Sequence, residues 1–133
     1  MLAHKPDVVI MMSAINDWLR DRDVSLDDYR IGLTQMINDA HAQGGEFVMI
    51  TESPILGTQF SEEHYYDDYI VVSRQVALAN PRVRLADANQ RMKNWLSDGD
   101  YRANTELLYE DNWHASQLGQ FIYLRVITDA MGL

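Results

Sequence analysis

Two short polar segments carry the side chains that can do chemistry. One is Asp111-Asn112-Trp113-His114, in which two residues separate a carboxylate from an imidazole. A carboxylate held that close fixes the tautomer of a histidine and stabilises the imidazolium formed when the ring takes a proton from a hydroxyl nucleophile. The same spacing also arises at a surface turn ahead of a helix, so alone it is a weak motif. The other segment is Ser13-Ala14-Ile15-Asn16-Asp17, directly after an apolar run. An Asn at such a place can simply cap a turn.

The elements that position these segments follow from hydrophobic periodicity. Val8-Val9-Ile10-Met11-Met12 and Phe47-Val48-Met49-Ile50 are continuous apolar runs of strand length. They predict strands buried on both faces, as in a parallel sheet. Between them Leu26, Tyr29, Leu33, Met36, Ile37 and Ala40 repeat at helical spacing, with Ser25 as N-cap and Gly44-Gly45 as the stop. Ser61 is the expected cap of a second helix that runs to Asn80, where Pro81 ends it. Val83 to Ala86 is a short third strand. Residues 87–113 are mixed, with a short helix near Met92 to Leu96 and then a polar loop. Leu118 to Met131 is a final helix with Gly132 at its C-cap, and Ser116 is placed in its first turn. A β-α-β-α-β-α order of this kind specifies an α/β sandwich with right-handed crossovers. In such sheets ligands bind beyond the C-terminal ends of the strands, where both polar segments fall.

The stretch Asp111-Asn112-Trp113-His114-Ala115-Ser116-Gln117-Leu118-Gly119 resembles the last block of the SGNH (GDSL-like) serine esterases. There Asp-x-x-His is followed by a small residue or Pro and then by Gly within a helix. Ala14-Ile15-Asn16-Asp17 resembles the same family's Gly-x-Asn-Asp block, with Ala14 standing where the family has Gly. The two blocks come in the family's order and span nearly the whole chain. The resemblance implies a flavodoxin-like three-layer α/β/α sandwich with a parallel sheet, lacking the family's first strands. It implies His114 as general base, Asp111 as its orienting partner and Asn16 as an oxyanion donor, with Asp17 supporting the loop. Trp113 is the candidate substrate wall, with a core anchor as the equal alternative. The implied activity is hydrolysis of an ester, an O-acetyl or related acyl group on a carbohydrate or lipid, without a cofactor.

The family's nucleophile block, Gly-Asp-Ser, has no counterpart here. Ser13, Ser53 and Ser116 each lack its setting; Ser53 lies in Thr51-Glu52-Ser53-Pro54. The missing serine is therefore expected from a preceding segment or from another chain, and the Val8 to Met12 strand of such a partial domain should pair with that segment or with a second copy. The rival expectation is a non-catalytic saccharide-binding or assembly module that keeps the fold, for example in a phage tail or surface protein.

The 133 residues suit a single domain, read as 1–133, and an apolar share of 47% supports a core. A net charge of −9 argues against nucleic acid or an anionic membrane as the main partner. No apolar run approaches the roughly 18 residues of a membrane span, and the start of the chain does not have the form of a signal peptide. There is no cysteine, so disulfides are excluded. His4, His41 and His64 have no metal-ligand spacing. Tyr65, Tyr66 and Tyr69 are expected to pack on the sheet rather than to stack on a sugar.

Overall fold

The computed structural model describes residues 4–18, 24–55, 63–111 and 114–133. Strand β1 (Val8–Met12) leads through a one-turn helix α1 (Ile15–Trp18) and α2 (Leu26–Ala42) to β2 (Glu46–Ile50). Helix α3 (Glu63–Ala79) then connects to β3 (Val83–Ala86), and α4 (Ala88–Ser97), α5 (Tyr101–Leu108) and α6 (Gln117–Met131) complete the chain. The sheet order is β1-β2-β3, all parallel, with Val9 opposite Phe47 and Phe47 opposite Val83.

The middle strand β2 feeds two cores by simple alternation. Phe47 and Met49 face a layer made by α2 and α3, including Leu33, Ile37, Tyr66 and Ile70. Val48 and Ile50 face Met92, Leu96, Leu108, Ile122 and Val126 from α4, α5 and α6. Both faces of β2 are thus covered, which explains why its run is continuously apolar. Each such side chain contributes about 1.5–3 kcal/mol by leaving water.

Strand β1 departs from the expectation of burial on both faces. Val9 is buried, whereas Ile10 and Met12 are 50% and 49% exposed. The reason is the placement of α6, which lies chiefly over β2 and β3, so that among the described residues of this face of β1 only Val8 packs against the second core. Residues 101–108, expected as polar loop, form α5, and the short helix near Met92 extends over Ala88–Ser97. Ser116 is the N-cap of α6 rather than a residue of its first turn, its hydroxyl accepting from the Gly119 N–H. The expected cap Ser61 lies outside the described residues. Elsewhere the local signals operate as the sequence suggests. Ser25 caps α2, Gly44 takes a φ of 86° after it, and Gly132 ends α6 in the left-handed region. Tyr66 and Tyr69 are buried against the first core.

One buried hydroxyl ties the turn after β1 to this frame. Tyr29 Oη donates to the Ser13 carbonyl at 2.9 Å and lies 2.9 Å from Ser73 Oγ and 3.1 Å from Ser13 Oγ. Burial raises the Tyr29 pKa, so the phenol stays protonated and available as a donor. Tyr29→Phe removes this hub and strands the polar groups around it. We expect a loss of about 1–3 kcal/mol in urea unfolding; an unchanged midpoint would show that the hub contributes nothing.

Candidate active site

The C-terminal end of β2 continues as Thr51-Glu52-Ser53-Pro54, and every layer holds it. Thr51 Oγ1 donates to Asp87 Oδ1 at 2.8 Å and accepts from the Asn89 N–H at 3.0 Å. Asn89 Nδ2 donates to the Glu52 carbonyl at 3.0 Å. The Ser53 N–H donates to Tyr123 Oη at 2.6 Å, and the Ser53 carbonyl accepts from Tyr66 Oη at 3.0 Å. Tyr109 Oη donates to the Pro54 carbonyl at 2.9 Å. Asp87, although partly desolvated, is held below the usual carboxylate range by Arg74, the Gln90 N–H and Thr51.

Above this segment opens a cavity of about 720 Å³ whose lining includes Asn16, Glu52, Ser53, Tyr66, His114 and Tyr123. It lies beyond the C-terminal ends of β1 and β2, the position favoured in open parallel sheets.

Asn16 reaches the cavity from α1. The turn that launches α1 is closed by Ala14, whose carbonyl accepts from the Asp17 N–H at 3.1 Å and the Trp18 N–H at 2.9 Å. Ala14 is fully buried, and Lys5 is the one non-glycine with positive φ among the described residues. The methyl group at this position is therefore accommodated in ordinary backbone, without the freedom a glycine would supply.

His114 reaches the cavity from the loop between α5 and α6. Its Nδ1 lies 2.7 Å from Asp111 Oδ2, and its backbone N–H donates to Asp111 Oδ1 at 2.7 Å. Both carboxylate oxygens are thus committed to His114. The loop is closed by Glu110 N–H to the His114 carbonyl at 2.9 Å, a bridge between Tyr109 and Ala115, and Ser116 N–H to the Leu108 carbonyl at 2.9 Å. This closure requires Gly119. A Cβ there would lie 2.4 Å from the Leu108 carbonyl oxygen and 2.9 Å from the Ala115 methyl. Asp111 and His114 are both exposed. The hydrogen bond to Asp111, and then its charge, raise the His114 pKa above the ordinary value.

The structure therefore brings Asp111 and His114 into contact and places Asn16 and His114 on one cavity. Trp113 lies outside the described residues. Of the three serines considered from the sequence, Ser13 pairs with Tyr29 and Ser116 Oγ donates to the Leu107 carbonyl at 2.5 Å, while Ser53 lines the cavity with its side chain paired to Tyr123. Glu52 is a cavity residue that motif reasoning passed over. Among the described residues no three His, Asp or Glu side chains group as a metal site, and no helix is long and apolar enough to cross a membrane.

No family model and no curated protein matches the chain. Solved structures do. An acetylxylan esterase from Geobacillus stearothermophilus superposes with a TM-score of 0.82 at 23% identity, over 100% of this chain and 63% of that one. A catalytic mutant of the same esterase gives a TM-score of 0.82 at 24% identity, with coverage of 100% and 63%. An alpha/beta hydrolase enzyme from the metagenome of Lake Arreo, Spain, gives 0.82 at 21% identity, with coverage of 99% and 62%. The chain has the α/β fold of these proteins and spans less than two thirds of their length.

The sign of the His114 shift makes a prediction. A raised pKa in the folded state means that the ion pair favours folding at low pH and is lost as pH rises through the folded value. The neutral imidazole, the form that can accept a proton, appears above that same value. NMR titration should place His114 above 6.5, its ordinary value, and Asp111→Asn should bring it back down. An Asp111→Asn chain with an unmoved His114 would show that the carboxylate does not set the titration.

Proposed function

We propose that this chain is the acid-, base- and oxyanion-bearing portion of an SGNH-type serine esterase. Its substrates in this reading are O-acetyl or similar acyl esters of a carbohydrate, and its nucleophile serine comes from a preceding segment or another chain. The observation that carries the reading is the convergence of the Asp111–His114 pair and Asn16 on one cavity at the strand ends. His114 takes the proton of the serine hydroxyl as that oxygen attacks the acyl carbon. Asp111 steadies the resulting imidazolium, and the Asn16 amide donates to the oxyanion, a contribution of roughly 3 kcal/mol for one such donor. The proton passes to the departing sugar oxygen, and water activated in the same way releases the carboxylic acid.

Three further points support it. Catalytic mutants of the G. stearothermophilus acetylxylan esterase alter a serine, an aspartate and a histidine. The aspartate stands three positions ahead of the histidine, as Asp111 stands ahead of His114, and the serine falls near the start of that chain. Among the described residues the cavity lining includes Glu52 and Glu110 and no Lys or Arg, which suits a neutral acylated sugar better than an anionic lipid. Finally, β1 pairs with β2 alone among the described residues. It presents Ile10 and Met12, 50% and 49% exposed, on the side of the sheet that α6 covers elsewhere. A bare strand edge beside apolar surface is where a serine-bearing strand and its helix would dock, on this chain's own preceding segment or on a partner.

The isolated chain should turn over a small chromogenic acetate ester negligibly, and a serine-directed phosphonate should leave it unlabelled. Co-purified with the completing segment, it should be labelled on that segment's serine, and His114→Ala should abolish the label. Stoichiometric labelling of Ser13, Ser53 or Ser116 would overturn the assignment of the nucleophile. A completed protein that binds acylated saccharide without cleaving it would favour a non-catalytic binding module.

A further inference from the structure

Helix α1 has a single turn, so its own hydrogen bonds do little to fix it. None of its residues is buried. A side-chain amide carried on so short an element needs outside support to point in one direction.

That support comes from Glu52. Its Oε2 accepts the backbone N–H of Ile15 at 2.5 Å. This is the first N–H of α1, which has no acceptor within the helix. The bond links residues 37 apart in sequence and joins the residue just before Asn16 to the end of the central strand. Glu52 is itself anchored on two sides, since its carbonyl accepts from Asn89 Nδ2 at 3.0 Å and its side chain interacts with the Tyr66 hydroxyl. Tyr66 is 1% exposed and its ring meets Trp18, the last residue of α1, edge-on at 5.7 Å between centroids. Glu52 and Tyr66 thus hold the two ends of α1.

We propose that Glu52 is the positioning residue for Asn16: its carboxylate, fixed at the end of β2, sets the start of α1 so that the Asn16 amide faces the cavity it shares with His114. This rests on the esterase reading for the use made of Asn16, but the positioning itself does not. Burial raises the Glu52 pKa, while the Ile15 N–H and Tyr66 oppose the rise. A half-buried carboxylate kept at this place, with a backbone donor as its partner, is costly unless the donor must be held. An apolar residue would serve the core as well and would leave the Ile15 N–H loose.

The test uses the isolated chain and does not require turnover. Amide exchange and ¹H–¹⁵N spectra are recorded for the wild type, Glu52→Ala and Glu52→Gln. In the wild type the Ile15 amide should be protected despite its place at the start of a helix. Glu52→Ala should speed its exchange by roughly tenfold or more and shift the Asn16 side-chain amide signals, leaving the His114 ring signals in place. Glu52→Gln keeps an acceptor oxygen and should restore most of the Ile15 protection. It also serves as the readout if Glu52→Ala fails to fold, because an Ile15 amide as unprotected in Glu52→Gln as in a free turn overturns the proposal. Equal Ile15 exchange and unmoved Asn16 signals in wild type and Glu52→Ala overturn it as well. Failure of the esterase reading would appear instead as absent phosphonate labelling in the completed protein, with these amide signals unaffected.

Discussion

The structure depends on how β2 ends. Its last apolar residue, Ile50, is followed by four residues that leave the sheet yet stay almost buried, with Thr51 fully so and Ser53 8% exposed. Buried backbone outside a ladder must find its hydrogen bonds elsewhere. The Thr51 N–H still reaches the Ala86 carbonyl of β3, and the other partners of Thr51 to Pro54 include the side chains of Asp87, Asn89, Tyr66, Tyr123 and Tyr109, together with the Asn89 N–H on Thr51 and the Ile15 N–H on Glu52. Satisfying one segment therefore fixes α1, α3, α4, the end of α5 and α6 relative to the sheet. The cavity is the space left above that segment, which is why side chains from both ends of the chain face each other across it.

Within that frame the two polar loops are built in opposite ways. The loop carrying Asp111 and His114 is closed locally, by a bridge, two backbone hydrogen bonds and the tight passage of Gly119 over Leu108. The turn carrying Asn16 adds to the local bonds on the Ala14 carbonyl two long-range ties, from the Ile15 N–H to Glu52 and through Tyr29 to Ser73. In the proposed reading His114 is a base that changes charge and benefits from a carboxylate that travels with it on one loop. Asn16, proposed as the oxyanion donor, is instead held from outside, because the value of such a donor lies in not reorganising when charge develops.

This difference also explains what could be read from the sequence. Asp111 and His114 are partners three residues apart, so both members lie in one short stretch, and the block that follows through Gly119 makes it recognisable. The strands Val8–Met12 and Phe47–Ile50, the stop at Gly44 and the cap at Gly132 are likewise local signals, and they correspond to the observed elements. The same reading overestimated the burial of β1, since a parallel-sheet pattern says which faces are apolar and not which helix covers them. Helix α5 was obscured by Tyr101, Asn104 and Thr105, and the one firmly buried side chain of its second half is Leu108. Glu52 was missed because its partner is a backbone N–H, which has no residue type to betray it. The available signal was a single carboxylate two residues past the apolar run Phe47–Ile50.

The most direct test is acetate release from an acetylated xylo-oligosaccharide by the polypeptide that joins this chain to a serine-bearing segment, compared with its His114→Ala variant. The account predicts steady release by the first and a fall of roughly a thousandfold or more in kcat for the second, the scale of loss expected when a triad member is removed. Release that survives intact in His114→Ala would contradict it.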